Sequence, residues 1–163
     1  MKRLALILLL VACGETSRPS PGEIGTVAPS FGALSLNGDS VDLAELRGTA
    51  VLLNVWATWC IPCRREIPEL QALHQEHSER GLRVVGVSVD GSGADRDVAE
   101  FAKSFSMTYT ILRDPGESIS NAFRIPGVPA SFLIDREGVV RWRHLGPFKA
   151  TDSTFLAALN AVL

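Results

Sequence analysis

The chain lacks a basic run. Its 16 Lys and Arg are scattered along 163 residues against 18 Asp and Glu, for a formal net charge of -2, so it carries no electrostatic footprint for a nucleic acid. It also lacks any apolar stretch near the roughly 20 residues that a spanning helix requires; the unbroken one at the start runs only from Leu4 to Ala12. Cysteine is scarce. There are three, two of them three positions apart, which excludes a small scaffold stapled by several disulfides. An apolar fraction of 46% with 21% charged residues is that of an ordinary single globular domain with a core of its own. The close cysteine pair is therefore expected to be there for its reactivity.

The first residues read as export grammar. Met1-Lys2-Arg3 is a positive start, Leu4 to Ala12 is apolar, and Leu10-Val11-Ala12-Cys13 comes directly after, which together describe a cleavable leader. Those last four residues resemble the lipobox of bacterial lipoproteins, which implies a signal peptide over 1–12 and acyl chains on Cys13 as the mature N-terminus. The alternative is an ordinary secretory peptide cut nearby. Residues 14–28 hold three Gly, four Ser/Thr and two Pro among few apolar residues, so 13–28 is expected to be a lipidated flexible tether, with the folded domain at 29–163.

Within that domain, Asn37-Gly38 between Ala33–Leu36 and Ser40-Val41 predicts a small opening hairpin. Leu43–Leu46 reads as one helical turn. Ala50–Ala57 is nearly all apolar, as in a strand buried on both faces. A helix is expected from about Ile61 to about Glu79, with Gly81 past its end, and Leu82–Val89 as a second buried strand, parallel to the first by a right-handed crossover. Val98–Phe105 reads as a helix and Tyr109–Leu112 as a short strand. Ser131–Ile134 and Val139–Trp142 form a second hairpin, and Thr151–Leu163 a closing helix. There is no internal repeat.

Chemistry concentrates at Cys60-Ile61-Pro62-Cys63. Cys60 stands where a strand gives way to a helix, and unpaired N–H groups with the positive end of the helix dipole favour a thiolate there. Pro62 suits a first helical turn. The two-residue spacer brings Cys63 within bonding reach, so Cys60 can attack a target disulfide and Cys63 can resolve the mixed disulfide, without a cofactor. A zinc site needs two more ligands, and apart from Cys13 only His74, His77 and His144 are available. His74 lies eleven residues beyond Cys63 on the same helix, about 16 Å along its axis, and His74 and His77 are expected on a solvent-facing flank. No metal is expected.

The segment Val51–Pro68, VLLNVWATWCIPCRREIP, resembles the thioredoxin superfamily, and within it the membrane-tethered TlpA/ResA/CcmG-like thiol-disulfide oxidoreductases. The resemblance extends from about Ala28 to the C-terminus. It implies an α/β thioredoxin fold with a central mixed β-sheet flanked by helices, an N-terminal hairpin and a central insertion over roughly Gly91–Leu112. Pro68 matches the kinking proline of the active-site helix, and Gly127-Val128-Pro129 the cis-proline loop. Trp59, Ile61, Pro62, Val128 and Pro129 are then the substrate-contacting set. Asn54 replaces the buried aspartate of ordinary thioredoxins, and Glu66 matches the acidic residue that ResA-like members keep in their active-site cavity; the alternative, read from its position alone, is an exposed first-turn glutamate.

The resemblance further implies an extracytoplasmic lipoprotein, facing the periplasm or the cell exterior. It would reduce disulfides of exported proteins such as apocytochrome c, kept reduced by a membrane thiol-reductase donor, and is expected to be a monomer. Two rivals remain. A peroxiredoxin-like peroxidase needs Thr or Ser three residues before the reactive cysteine and Pro seven before, where this chain has Ala57 and Leu53. A non-catalytic thioredoxin-fold binding module would act without Cys60.

Overall fold

The computed structural model describes residues 19–163. The signal peptide expected at 1–12, the lipidation expected at Cys13 and the start of the tether lie outside the described residues. Seven strands, β1 (Gly32–Ser35), β2 (Ser40–Asp42), β3 (Ala50–Trp56), β4 (Leu82–Ser88), β5 (Thr110–Arg113), β6 (Ala130–Ile134) and β7 (Val140–Leu145), alternate with four helices. These are α1 (Ile61–His77), α2 (Asp95–Ser104), α3 (Ser118–Ala122) and α4 (Ser153–Val162). One mixed sheet runs in the order β2-β1-β5-β4-β3-β6-β7.

The position of β3 agrees with its composition. All seven of its residues are buried, because it pairs in parallel with β4 and antiparallel with β6 and is covered on both faces. Its carboxyl end delivers Trp56 to the turn that carries the cysteines, the place where open α/β sheets put their chemistry. α1 returns over the sheet with Ile67, Leu70 and Leu73 inward. Pro68 lies inside it, where it cannot donate to the Arg64 carbonyl. The helix stops at His77, a 3₁₀ turn carries the chain to Arg80, and Gly81 at φ 95° closes it.

The inserted stretch builds α2 and β5. β5 joins the opening hairpin to the rest of the sheet, since it pairs with β4 on one side and with β1 on the other. α2 lays Phe101 against Trp56, with ring centroids 5.1 Å apart.

The fold departs from expectation in three places. The tether does not extend to Ala28: Gly25 N–H donates to the Val140 carbonyl, Val140 N–H to that of Thr26, and Ala28 N–H to that of Gly138. Gly22 is buried against Phe123. β7 would otherwise end the sheet with unpaired backbone groups, and this segment covers part of that edge. Second, α3 has no counterpart among the elements expected from sequence; its N-cap, Glu117, is left-handed and gives no side-chain bond, and the capping comes from Asp114, which accepts from Ile119 N and Ser118 Oγ. Third, His77 is buried, and His74 is half-buried with its ring 6.1 Å from that of Tyr109. His74 is covered where Tyr109 of the insertion packs beside it, and the His77 ring lies 3.2 Å from the Arg80 guanidinium.

Candidate active site

Cys60 is the N-cap of α1, fixed by its own N–H donating to the Ala57 carbonyl at 3.1 Å. It is joined to Cys63 by a disulfide, and its sulfur accepts from the Cys63 N–H at 3.2 Å. That N–H is one of the donors a helix start leaves without a partner. The two sulfurs are unequally placed. Cys60 is 3% exposed and Cys63 fully buried, so a reagent or partner meets Cys60 first.

The bridge is surrounded by apolar surface. Trp59 and Ile61, on either side of Cys60, are 64% and 71% exposed, and a large exposed aromatic next to an exposed aliphatic is a place where another surface docks. Pro62 is half-buried in the first turn. The Val128–Pro129 bond is cis, as expected from the sequence. Val128 is half-buried and Pro129 buried. Pro129 precedes β6, whose Ala130 is paired with Val55 near the end of β3, so the sheet itself brings the proline loop to the redox end.

The strand that leads to the cysteines and the helix that carries them share a polar cluster inside an apolar core. Asn54, two residues before the end of β3, donates from Nδ2 to Glu66 Oε1 at 2.6 Å and to Ser131 Oγ at 2.9 Å. Glu66 Oε2 accepts from Phe148 N at 3.2 Å. Glu66 is 1% exposed, so the exposed first-turn glutamate is not what the fold makes. Burial raises its carboxyl from the usual 4.5 to about 7, against the opposing hydrogen bonds from Asn54 and Phe148, because the charged form loses its water. Burial likewise pushes the Tyr109 phenol above its usual range, with the Glu66 charge as a smaller contributor. The Asn54 Oδ1, Trp56 Nε1 and Tyr109 Oη atoms are buried without a hydrogen-bond partner.

Several members of this arrangement could not be anticipated from sequence. Ser131 and the Phe148 N–H reach Glu66 or its partner Asn54 across 77 and 82 residues of chain, and no local pattern announces such contacts. Asp90, whose carboxylate accepts from the Thr58 amide and hydroxyl, carries a detectable signal: it comes just after the apolar strand β4 at its carboxyl end, where functional polar residues of α/β sheets gather. Among the described residues there is no cluster of three or more His, Cys, Asp or Glu suited to a metal.

Comparison with known proteins places the chain. Residues 24–143 match the AhpC/TSA family. The thiol-disulfide oxidoreductase ResA of Bacillus thuringiensis subsp. konkukian is 31% identical over 144 residues, 83% of this chain and 82% of that protein. The ResA of Geobacillus kaustophilus is 33% identical over 158 residues, 93% and 90% of the two chains. The chain belongs to the ResA-like thiol-disulfide oxidoreductases of the AhpC/TSA family. A solved thiol:disulfide interchange protein of the thioredoxin family from Chlorobium tepidum superposes with a TM-score of 0.69 at 31% identity, covering 88% of this chain and 98% of that one. The α/β architecture described above is thus the thioredoxin fold. Like its ResA relatives, the protein is an enzyme of disulfide exchange, and its Cys60–Cys63 bridge is the oxidised half of a redox couple, which takes up two electrons on opening to the dithiol and gives them up on closing. No described helix is long and apolar enough to cross a membrane.

Proposed function

We propose that this ResA-like protein is a reductant of disulfides in exported proteins, with Cys60 as the attacking thiol. The observation that carries the reading is the asymmetry of the pair: Cys60 sits at the accessible helix start between exposed Trp59 and Ile61, and Cys63 has no exposed surface. In the reduced enzyme the Cys60 thiolate attacks one sulfur of a client disulfide. The client S–S bond breaks, a Cys60–client bond forms, and the released client sulfur takes a proton. Cys63 then gives its proton to Glu66, and its thiolate attacks the Cys60 sulfur. The second client sulfur leaves and is protonated from solvent, to which Glu66 returns the proton it took, and the Cys60–Cys63 bridge closes. The client has gained two electrons and two protons, and no cofactor beyond the cysteine pair takes part. Pro62 opens the helix behind the nucleophile, Trp59 and Ile61 form the apolar rim against which the client rests, and the Val128 backbone beside Pro129 flanks the client strand.

Export and a lipid on Cys13, suggested by the leader and lipobox-like residues, give the enzyme an extracytoplasmic setting at a bacterial membrane, facing the periplasm or the cell exterior. A domain with one dithiol has no internal pair from which to draw electrons, so a membrane thiol reductase resupplies it. Apocytochrome c disulfides are the proposed client class within exported proteins, and the enzyme works as a monomer. Trapping in cells with Cys63→Ala, which arrests the mixed disulfide, is expected to capture exported proteins with cysteine pairs, joined through Cys60. A Cys60→Ser enzyme with full insulin-reducing activity would overturn Cys60 as the attacking thiol, and a parent protein that reduces no insulin would leave a docking module in its place.

A further inference from the structure

We infer that Asp90 is a positioning residue for the redox loop: its carboxylate grips Thr58, two residues before Cys60, and so sets where the Cys60 sulfur stands at the start of α1. The inference rests on Cys60 being the attacking thiol. Asp90 lies just beyond β4 and is 3% exposed. Thr58 N–H donates to both of its oxygens, at 3.0 and 3.2 Å, and the Thr58 hydroxyl to Oδ1 at 2.6 Å. Ser88 Oγ, from the last residue of β4, donates to Oδ2 at 2.8 Å.

The opposite side of the same threonine is also held. Arg64, in the first turn of α1, donates to the Thr58 carbonyl from Nη2 at 2.9 Å and Nε at 3.3 Å. Its guanidinium rests 5.5 Å from the centre of the Phe101 ring on α2. Each polar group of Thr58, amide, hydroxyl and carbonyl, is therefore taken by a side chain from another part of the chain. Three donor groups, two of them from Thr58, converging on one buried carboxylate fix direction as well as distance.

This clamp has a chemical purpose. A thiolate at a helix start is favoured only while it stays in line with the free N–H groups, here the Cys63 N–H. Trp59 and Ile61 on either side of Cys60 are exposed and give the loop little packing to hold that alignment. The clamp also opposes a simple charge effect, since a nearby carboxylate on its own would disfavour the Cys60 thiolate. The two effects therefore have opposite signs on removal of Asp90: loss of grip slows Cys60, and loss of charge quickens it.

The test is the pH profile of iodoacetamide alkylation of the reduced full chain, with the labelled cysteine identified by mass. Thr58→Val, Thr58→Ser, Asp90→Asn and the double variant Thr58→Val/Asp90→Asn are compared, and thermal unfolding is recorded in parallel. Thr58→Val and Asp90→Asn are each expected to slow Cys60 alkylation at neutral pH about tenfold and to move the profile to higher pH, a size suited to a hydrogen bond on a charged group. Thr58→Ser keeps the hydroxyl and should return to within about twofold of the parent. Because one clamp is broken twice, the double variant should be no slower than the slower single one. A Thr58→Val profile that overlays the parent, a faster Asp90→Asn, or singles that multiply in the double variant would each overturn the positioning role, even where stability falls. Labelling of Cys63 in the parent would instead remove the assignment of Cys60 on which the inference stands.

Discussion

Glu66 is the residue whose state depends most on where the fold puts it. With its carboxyl raised from 4.5 to about 7 by burial, the folded protein binds more protons than the unfolded one between those two values. Stability contributed by the protonated acid is therefore complete below about pH 4.5, declines as pH rises toward 7, and is replaced above it by a fixed penalty. For a group 1% exposed that penalty is on the order of 3 kcal/mol. Glu66→Gln removes the charge, and its new amide can donate to the Asn54 Oδ1, which has no partner, after rotation of the Asn54 amide. Urea unfolding should find the variant less stable than or equal to the parent near pH 4 and more stable near pH 8. Its chemistry should move the other way: Asn54 cannot accept the proton of a closing Cys63, so resolution of the mixed disulfide slows and loses its dependence on pH near 7. A variant with parental resolution kinetics across that range would leave Glu66 as a buried acid without a role in proton transfer. The cysteines make a second, simpler prediction. Brief alkylation of the reduced protein at neutral pH should label Cys60 well ahead of fully buried Cys63, and mass analysis showing equal labelling would contradict the asymmetry.

The elements around the site show how far local pattern carries. β3, α1, β4, the two hairpins and α4 are all legible in the sequence, because each has a strong period, a long apolar run or a turn dipeptide such as Asn37-Gly38, whose Gly38 takes φ 89°. Cys60 and Cys63 are legible as well, since their spacing carries the chemistry, and the cis proline is legible through the resemblance of Gly127-Val128-Pro129 to the family's loop. What cannot be read is long-range: α3, capped from Asp114; His77, covered by its neighbours; and residues 25–28, whose strand partner lies more than a hundred positions away. Such contacts depend on the assembled sheet and leave no mark in a short window. A domain beginning at Pro29 loses the three backbone bonds to the β7 side, at about 1 kcal/mol each, and bares that edge. It should unfold at lower urea and aggregate more readily than one beginning at Pro19. Gly86, in the middle of β4, has Trp56 Nε1 2.9 Å and Tyr109 Cε2 3.1 Å from where a Cβ would stand. Gly86→Ala should cost about 1–3 kcal/mol by overpacking, whereas Gly91→Ala, with open space around it, should leave the urea midpoint unchanged.

For the whole molecule the docked segment changes the geometry of anchoring. Gly22 is already held against Phe123, so only nine positions separate it from Cys13, and a chain of that length reaches at most about 30 Å. On the proposed lipidation the domain is thus kept within a short distance of the membrane. A short link of this kind raises the effective concentration of the cysteine pair for a membrane donor into the millimolar range, and that proximity, more than the potential of the pair, would keep it reduced in an oxidising compartment. The direction of the reaction can be tested on that point. Cys13→Ser should leave the purified protein able to reduce insulin with dithiothreitol as donor, because nothing at Cys60 or Cys63 has changed. In cells the same substitution should move the protein from the membrane to the soluble fraction, and acid-quenched alkylation should find the Cys60–Cys63 pair shifted from mostly dithiol to mostly disulfide. If the anchored protein is itself mostly disulfide in cells and takes electrons from client thiols, it works as an oxidant. The tether would then serve delivery of clients rather than supply of electrons.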